Sequence, residues 1–207
     1  PQVLEVVEVA ADLGHRLAIA RVVHRIRLRH ADLDAVDHLS RVEQAARDKR
    51  PARIVVKINA LTDLELINGL LSAAQAGAKI DLIVRGACML PPGVPGLSEH
   101  IRVRSVVGRF LEHTRVIYLR WGEREPDEAL YLSSADWMSR NMFRRIEIAW
   151  PVRDAALRQR LIDEALVPYL HDGKDAWCEQ ADGSYVPVGP GGASAQQALM
   201  RRLGGVR

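Results

Sequence analysis

At 207 residues and 48% hydrophobic, the chain is long enough to bury an ordinary core and too apolar to be disordered. Its 29 basic residues against 26 acidic ones leave a net charge of +3, and only Lys49, Lys57, Lys79 and Lys174 among them are lysine. The positive charge is therefore arginine, whose planar fork suits directed contacts with phosphate or carboxylate better than a diffuse coat. An aromatic content of 5% argues against a base-stacking binder of single strands, and no nucleic-acid partner is expected. Cys88 and Cys178 stand far apart without a Cys-x-x-Cys partner, so neither a disulfide framework nor a zinc site is suggested. No apolar run approaches the ~20 residues that span a bilayer, and the start shows no secretory signal. A soluble, reducing, cytoplasmic setting is the expectation.

In chain order, residues 1–50 are the least regular. Val3 to Val9 is β-branched and reads as a strand. Within 15–30, Arg25, Arg27 and Arg29 alternate with Ile26 and Leu28, as on a half-buried strand with a basic face that is either solvated or an anion-binding strip. Leu33, Val36, Leu39, Val42 and Ala46 recur at helical spacing, and that helix should end near Lys49-Arg50, before Pro51. Ile54 to Ile58 is an apolar run expected to be a buried strand. Thr62-Asp63-Leu64-Glu65 reads as a capping box with Thr62 at the cap. The helix it opens should turn Leu64, Ile67, Leu70, Leu71 and Ala74 inward and close at Gly77. Lys79 to Val84 is a second strand, and strand–helix–strand with short connections implies a parallel pair.

Cys88 to Ser98 holds three prolines and two glycines and is expected to be a loop. Ile101 to Val107 reads as a strand with Arg102 and Arg104 on one face. Thr114 to Leu119, Ala129 to Ser133 and Arg145 to Trp150 are three more strands, the first two joined by a charged hairpin tip at Arg120–Asp127. Asp154 to Leu170 carries Leu157, Leu161, Leu166 and Leu170 at amphipathic spacing. Trp177 to Val188 reads as a short hairpin around Asp182-Gly183, Gly189 to Gly192 as a flexible joint, and Ser194 to Leu203 as a final helix. There is no internal repeat. The expected fold class is α/β, a mixed sheet of about six strands with flanking helices.

The residues that invite chemistry lie between Arg85 and Arg145. Histidine exchanges a proton near neutral pH, and His113 stands among Arg102, Arg104, Arg109 and Arg115. Arg85 ends a predicted strand, and ligands of open α/β sheets collect beyond such strand ends. Lys57 and Asn59 share one face of their strand, facing either the same pocket or solvent. Glu112 should point away from His113, as neighbours on a strand do. Arg140, Arg144 and Arg145 either bind a polyanion or pair with Asp136 and Glu147; Trp137 reads as core. No Gly-rich phosphate loop is present, so anion binding would rest on Arg and His.

Several stretches of this region resemble a known family. They are Lys57-Ile-Asn-Ala-Leu61, Ala73-Ala-Gln-Ala-Gly-Ala-Lys-Ile-Asp-Leu-Ile-Val-Arg-Gly86, Pro92-Gly-Val-Pro-Gly-Leu-Ser-Glu99, Ile101 to His113, Ser133 to Trp137, and Arg144-Arg-Ile-Glu147. Together, in this order, they closely resemble the carboxy-terminal catalytic part of the large ATP-dependent polyphosphate kinases, within the phospholipase D-like superfamily. The resemblance is clear from Ala52 to Pro151. It divides the chain into a segment of unclear relationship, 1–50, and a catalytic-like domain, 51–207. It implies a phospholipase D-like mixed sheet forming one half of a two-half catalytic unit.

On that resemblance His113 is the catalytic residue, assisting proton transfer and contacting nucleotide phosphates. Arg85, Arg109, Arg115, Lys57 and Asn59 join it as ATP- or phosphate-binding residues. Arg102, Arg104, Arg140, Arg144 and Arg145 are candidates for the polyphosphate chain. His113-Thr114-Arg115 with Ser134-Ala135-Asp136 echoes the superfamily's His-x-Lys and Ser-x-Asn motifs, with Arg for Lys and Asp for Asn. ATP is the implied substrate. Magnesium is implied too, with ligands outside this chain, as is a phosphorylated histidine of the other half in a His-His-Pro-Tyr-like setting. His15, His24, His30 and His38 stand in other contexts. The implied partners are ATP, ADP, polyphosphate and either an upstream half or a second copy of the chain. A half-size phosphodiesterase working as a homodimer and a non-catalytic polyanion-binding or assembly domain are the alternative readings.

Overall fold

The apolar run at residues 54–58 is buried on both faces, as expected of a central parallel strand. It is β1 (Arg53–Ile58) in a computed structural model that describes residues 33–124, 127–189 and 191–204. The strands expected at 3–9 and within 15–30 lie outside the described residues. α1 (Leu33–Arg47) precedes β1, and α2 (Leu64–Gln75) and β2 (Lys79–Val84) follow it. Then come β3 (Ile101–Val106), β4 (Val116–Arg120), β5 (Glu128–Ser133), α3 (Ser139–Arg144) and β6 (Ala149–Pro151). α4 (Ala155–Leu161), a π-helical turn (Ile162–Leu166) and α5 (Val167–Leu170) lead to β7 (Ala176–Glu179), β8 (Tyr185–Pro187) and α6 (Ala195–Gly204).

The eight strands among the described residues form one sheet in the order β6-β5-β4-β1-β2-β3-β7-β8. β1, β2 and β3 are mutually parallel, as the strand–helix–strand pattern requires, and every other pairing is antiparallel. The expected count of about six is exceeded because the hairpin β7–β8 extends the sheet beyond β3 instead of standing apart.

Successive strand residues point to opposite faces, and two cores result. Ile54, Val56 and Ile58 of β1 join Ile80, Leu82 and Val84 of β2 against α1 and α2. Val55, Ile83 and Val106 face the other way, toward Leu166, Tyr169 and Ala195. Lys57 and Arg85 lie two residues on from Val55 and Ile83, so they too face the second layer. That parity brings charge to one end of an otherwise apolar face.

Some local expectations are corrected. The cap of α2 is Asp63, whose carboxylate accepts from Leu66 N at 3.2 Å, and not Thr62, whose N–H goes to the Trp137 carbonyl at 2.8 Å. Leu64 consequently points outward, 48% exposed, and Leu66 takes the inward place. The helix expected over 154–170 is present from Ala155 to Leu170 but is not a regular α-helix throughout. Pro168 has no N–H and its ring crowds the carbonyl four residues back. Just before it the helix widens to a π turn, with Val167 N donating to the Ile162 carbonyl. Leu157, expected inward, is 55% exposed. The stretch 189–192 is tied down at its end. A Cβ built on Gly192 would stand 2.4 Å from Gly173 Cα, so this backbone crossing requires glycine.

Candidate functional site

The carboxyl ends of β1, β2, β3 and β5 and the start of β4 share one rim, because β4 runs antiparallel to β1 with Val116 opposite Lys57. Asn59 follows β1, Arg85 follows β2, and the segment from Val107 to Arg115 links β3 to β4 across the top. His113 and Thr114 sit in this linking segment, just before β4, where a strand start was expected.

A chain of polar contacts runs along the rim. Arg85 donates to Asn59 Oδ1 through Nε, at 2.9 Å, and through Nη2. Asn59 donates its backbone N–H to Asp136 Oδ1 at 2.9 Å and its amide to Oδ2 at 3.4 Å. Arg115 closes on the same carboxylate with both prongs, Nε to Oδ1 at 3.0 Å and Nη2 to Oδ2 at 2.9 Å. The other side of its guanidinium lies against His113, with Nη2 3.1 Å from Nε2 and Nη1 3.4 Å from Nδ1. A guanidinium only donates and a neutral imidazole has one acceptor nitrogen, so one of these two contacts at a time is a hydrogen bond. Burial works against charge on Asp136, but the bonds from Arg115 and Asn59 outweigh it and hold its carboxyl below the usual range. Asp136 thus fixes Arg115, and Arg115 bears on the exposed ring of His113.

Beneath the rim is a small cleft lined by Lys57, Ile58, Ile83, Arg85, Val106, Glu112 and Thr114. Lys57 is 3% exposed, which excludes a solvated strand face. Its Nζ donates to Glu112 Oε2 at 2.8 Å and stands 3.2 Å from the centre of the Tyr169 ring. Burial pushes the Lys57 ammonium below its ordinary value, and Glu112 opposes that shift. Glu112 also accepts from Tyr169 Oη at 2.9 Å and from Gln196 Nε2 at 2.6 Å. Burial, with Glu112 beside it, pushes the Tyr169 hydroxyl far up. Glu112 serves these three groups and not His113, in keeping with the expectation that it points elsewhere.

The remaining candidates separate by place. Arg109 is exposed in the linking segment, its guanidinium 5.7 Å from the centre of the Phe110 ring. Arg104 donates to the Tyr169 carbonyl at 3.2 Å. Arg102 lies two residues further down β3, toward the opposite end of the sheet, and reaches Asp81 at 3.4 Å. Arg140, Arg144 and Arg145 are exposed on and just after α3. The two carboxylates named as their alternative partners are engaged elsewhere. Asp136 holds Arg115, and Glu147 accepts from Ser134 Oγ at 2.5 Å and Asn141 Nδ2 at 2.6 Å. Trp137 is core, at 5% exposed.

These residues do not suit magnesium. The carboxylates nearest the cleft, Glu112 and Asp136, are each neutralised by a cation and saturated with donors. No group of three His, Cys, Asp or Glu side chains able to hold a metal occurs among the described residues. At the mouth of the cleft Arg85 carries positive charge bonded to neutral Asn59, and Arg109 is exposed in the linking segment above it. The arrangement can therefore bind an anion over the cleft with a histidine beside it.

The family model of the polyphosphate kinase C-terminal domain 2 matches residues 22–198. The chain belongs to this family. Among curated polyphosphate kinases, that of Paraburkholderia phytofirmans is 54% identical over 159 residues, 77% of this chain and 23% of the relative. The crystal structure of polyphosphate kinase from Porphyromonas gingivalis superposes with a TM-score of 0.75 at 35% identity, covering 82% of this chain and 26% of that one. The mixed α/β fold described above is thus shared with a polyphosphate kinase. Nuc from Salmonella typhimurium, a phospholipase D family member, is a more distant neighbour, with a TM-score of 0.43 and 12% identity. The chain spans about a quarter of the length of the polyphosphate kinases it matches. No helix among its described residues is long and apolar enough to cross a membrane.

Tyr169 and Gln196 carried no motif that sequence reading could seize, and the partners of Glu112 were not legible from its place beside His113. Gln196 meets Phe110 across 86 positions of chain and Tyr169 meets Glu112 across 57. A buried polar side chain in an amphipathic helix looks like any other polar residue until its partner is known.

Proposed function

We propose that this domain supplies the phosphate-binding and proton-handling side of a polyphosphate kinase active site in the cytoplasm. The reaction is reversible transfer of the γ-phosphoryl group of ATP to polyphosphate, by way of a histidine outside this chain that becomes phosphorylated. That histidine attacks the γ-phosphorus as the bond to the β–γ bridging oxygen breaks and ADP leaves. A terminal polyphosphate oxygen then takes the phosphoryl group. Such transfers depend on position and charge stabilisation more than on covalent work by the protein. Arg85 places its fork on the nucleotide phosphates and Arg109 adds charge above them. His113, oriented by Arg115, gives a proton to the bridging oxygen and recovers it in the reverse direction. Arg140, Arg144 and Arg145 offer a track for the chain, as several positive contacts must for any long polyanion.

The observation that carries this reading is the placement of Arg85. It stands at the mouth of the cleft, free of any carboxylate, and one continuous run of hydrogen bonds joins it to His113. The test is calorimetric titration of tripolyphosphate and of ATP into the chain. Arg85→Lys keeps the charge and loses the planar fork, so affinity should fall about tenfold. Equal affinity of the variant and the wild type would remove Arg85 from the site.

A further inference from the structure

The segment that carries His113 has no regular structure of its own, yet both its ends and its middle are held. Val107 N donates to the Asp175 carbonyl at 3.0 Å. Phe110 N donates to Gln196 Oε1 at 2.8 Å, and Gln196 Nε2 donates back to the Phe110 carbonyl at 2.8 Å. The same Nε2 donates to Glu112 Oε1 at 2.6 Å. One amide therefore grips two residues of the segment through three hydrogen bonds, two of them to the Phe110 backbone as a paired strand would make. Gln196 is itself 4% exposed, although Phe110, which it holds, is at the surface. A Cβ at Gly108 would stand 2.6 Å from Gln196 Oε1, so a side chain there would push the Gln196 amide off the segment.

The grip is anchored from behind. Gln196 lies in the first turn of α6, and Ser194 caps that turn by accepting from Gln197 N at 3.2 Å. Asp172, 1% exposed, accepts from Lys174 N, Asp175 N and Ala195 N at 2.7 to 2.9 Å. Asp175 accepts from Ser194 Oγ at 2.5 Å. The turn after α5 and the start of α6 form one unit, from which Gln196 projects toward Phe110. On the other side Glu112 is held by Lys57 of β1 and Tyr169 of α5. The residues between these anchors and just beyond them are Arg109, Leu111, His113 and Thr114, and they need a defined position if phosphate is to meet them.

We infer that Gln196, acting through Phe110 and Glu112, is a positioning residue by which the C-terminal helix holds the His113 segment in register with Arg85. The inference rests on the functional reading above, since it assigns α6 a part in that same phosphate site. A displacement of about 1 Å at a reacting group can cost on the order of a hundredfold in rate, so a latch of this kind has work to do.

The test uses two substitutions and one ligand. Gln196→Ala removes the grip. Gln196→Glu keeps the shape and the acceptor for Phe110 N, but at pH 8 it sets a carboxylate against Glu112 and loses the donor. Two facing carboxylates raise the pKa of one of them, so protonation at pH 5.5 restores a donor between them. The charged and titratable groups around this point are Glu112, Lys57, Tyr169, Asp172 and Asp175. They are common to all the proteins, so each variant is read as a ratio to wild type at the same pH.

Tripolyphosphate affinity by calorimetry should fall about fivefold to tenfold in Gln196→Ala at both pH values. In Gln196→Glu it should fall at least about tenfold at pH 8 and recover to within about threefold of wild type at pH 5.5. Phe110 amide exchange, followed by mass spectrometry, should accelerate in the same proteins under the same conditions. A residue with only a structural role would lower the melting temperature without this pH-dependent rescue. Wild-type affinity in both variants at both pH values, or a Gln196→Glu ratio that does not change with pH, overturns the inference. If the wild-type chain binds no tripolyphosphate, the functional reading fails first and the inference falls with it.

Discussion

Asp136 is the joint between Asn59 and Arg115, and removing its charge tests how the rim is held. It accepts four hydrogen bonds, two from Arg115 and two from Asn59, and is 4% exposed. In Asp136→Asn one amide oxygen remains to accept, and the NH2 group faces donors. Breaking a buried ion pair by removing one partner costs roughly 3–5 kcal/mol. Arg115 retains 11% side-chain exposure beside the exposed His113, so water reaches it and the lower end, about 3 kcal/mol, applies. For a chain of this size that corresponds to a fall in Tm of about 6–12 °C.

The effect has a required pH dependence. The folded Asp136 carboxyl lies below its unfolded value of ~3.9. Its charge therefore stabilises the fold above that value, and the contribution is lost as pH falls through the lower, folded value. Urea unfolding of the wild type and Asp136→Asn at pH 7, 5 and 3 should show a gap that is full at pH 7 and 5 and narrower at pH 3. An equal gap at pH 3 and 7 would show that shape, not charge, is what the substitution removes. A gap under about 1 kcal/mol at pH 7 would refute the joint itself.

Four further outcomes are expected. In a complete polyphosphate kinase carrying this domain, His113→Ala should lower turnover by ~10²–10⁴-fold. Its stability should change by less than ~2 kcal/mol, and initial rates with melting curves separate the two effects. His113→Gln should not rescue the rate, because an amide cannot cycle a proton at neutral pH; near-normal turnover would make His113 a hydrogen-bonding residue only. Incubated by itself with ATP, magnesium and primer, the chain should form no acid-stable polymer, and multiple-turnover synthesis would show that a histidine within it can carry the phosphoryl group. Burial pushes the Cys88 thiol up to about 12, so iodoacetamide at pH 8 should label it over ~100-fold more slowly in the folded chain than in urea. Equal labelling rates by mass spectrometry would contradict that burial.

What the sequence determined by itself was the frame. The apolar runs at Ile54–Ile58 and Lys79–Val84, with a capped amphipathic helix between them, specify a parallel pair, because their pattern lies within a short window of chain. The alternating arginines of β3 and the inward Trp137 were legible for the same reason. So was the nearness of Arg85 and His113 to one rim, which follows from strand direction. Tertiary structure decided what each charge does. Lys57 reads as a possible phosphate ligand until Glu112, 55 residues away, is seen to neutralise it. Arg102 and Arg104 look equivalent on their strand, but Arg102 meets Asp81 and Arg104 the Tyr169 carbonyl. The cap falls on Asp63 and not Thr62, and the N–H groups of both residues are tied to the carbonyl of Trp137, from a distant loop. Gln196 carries no signal at all without Phe110 beside it. Hydrophobic periodicity is a property of neighbours in sequence and survives in any window. The partner of a buried charge or amide is set by which segments cross above the sheet, and that is decided only when the whole chain has folded.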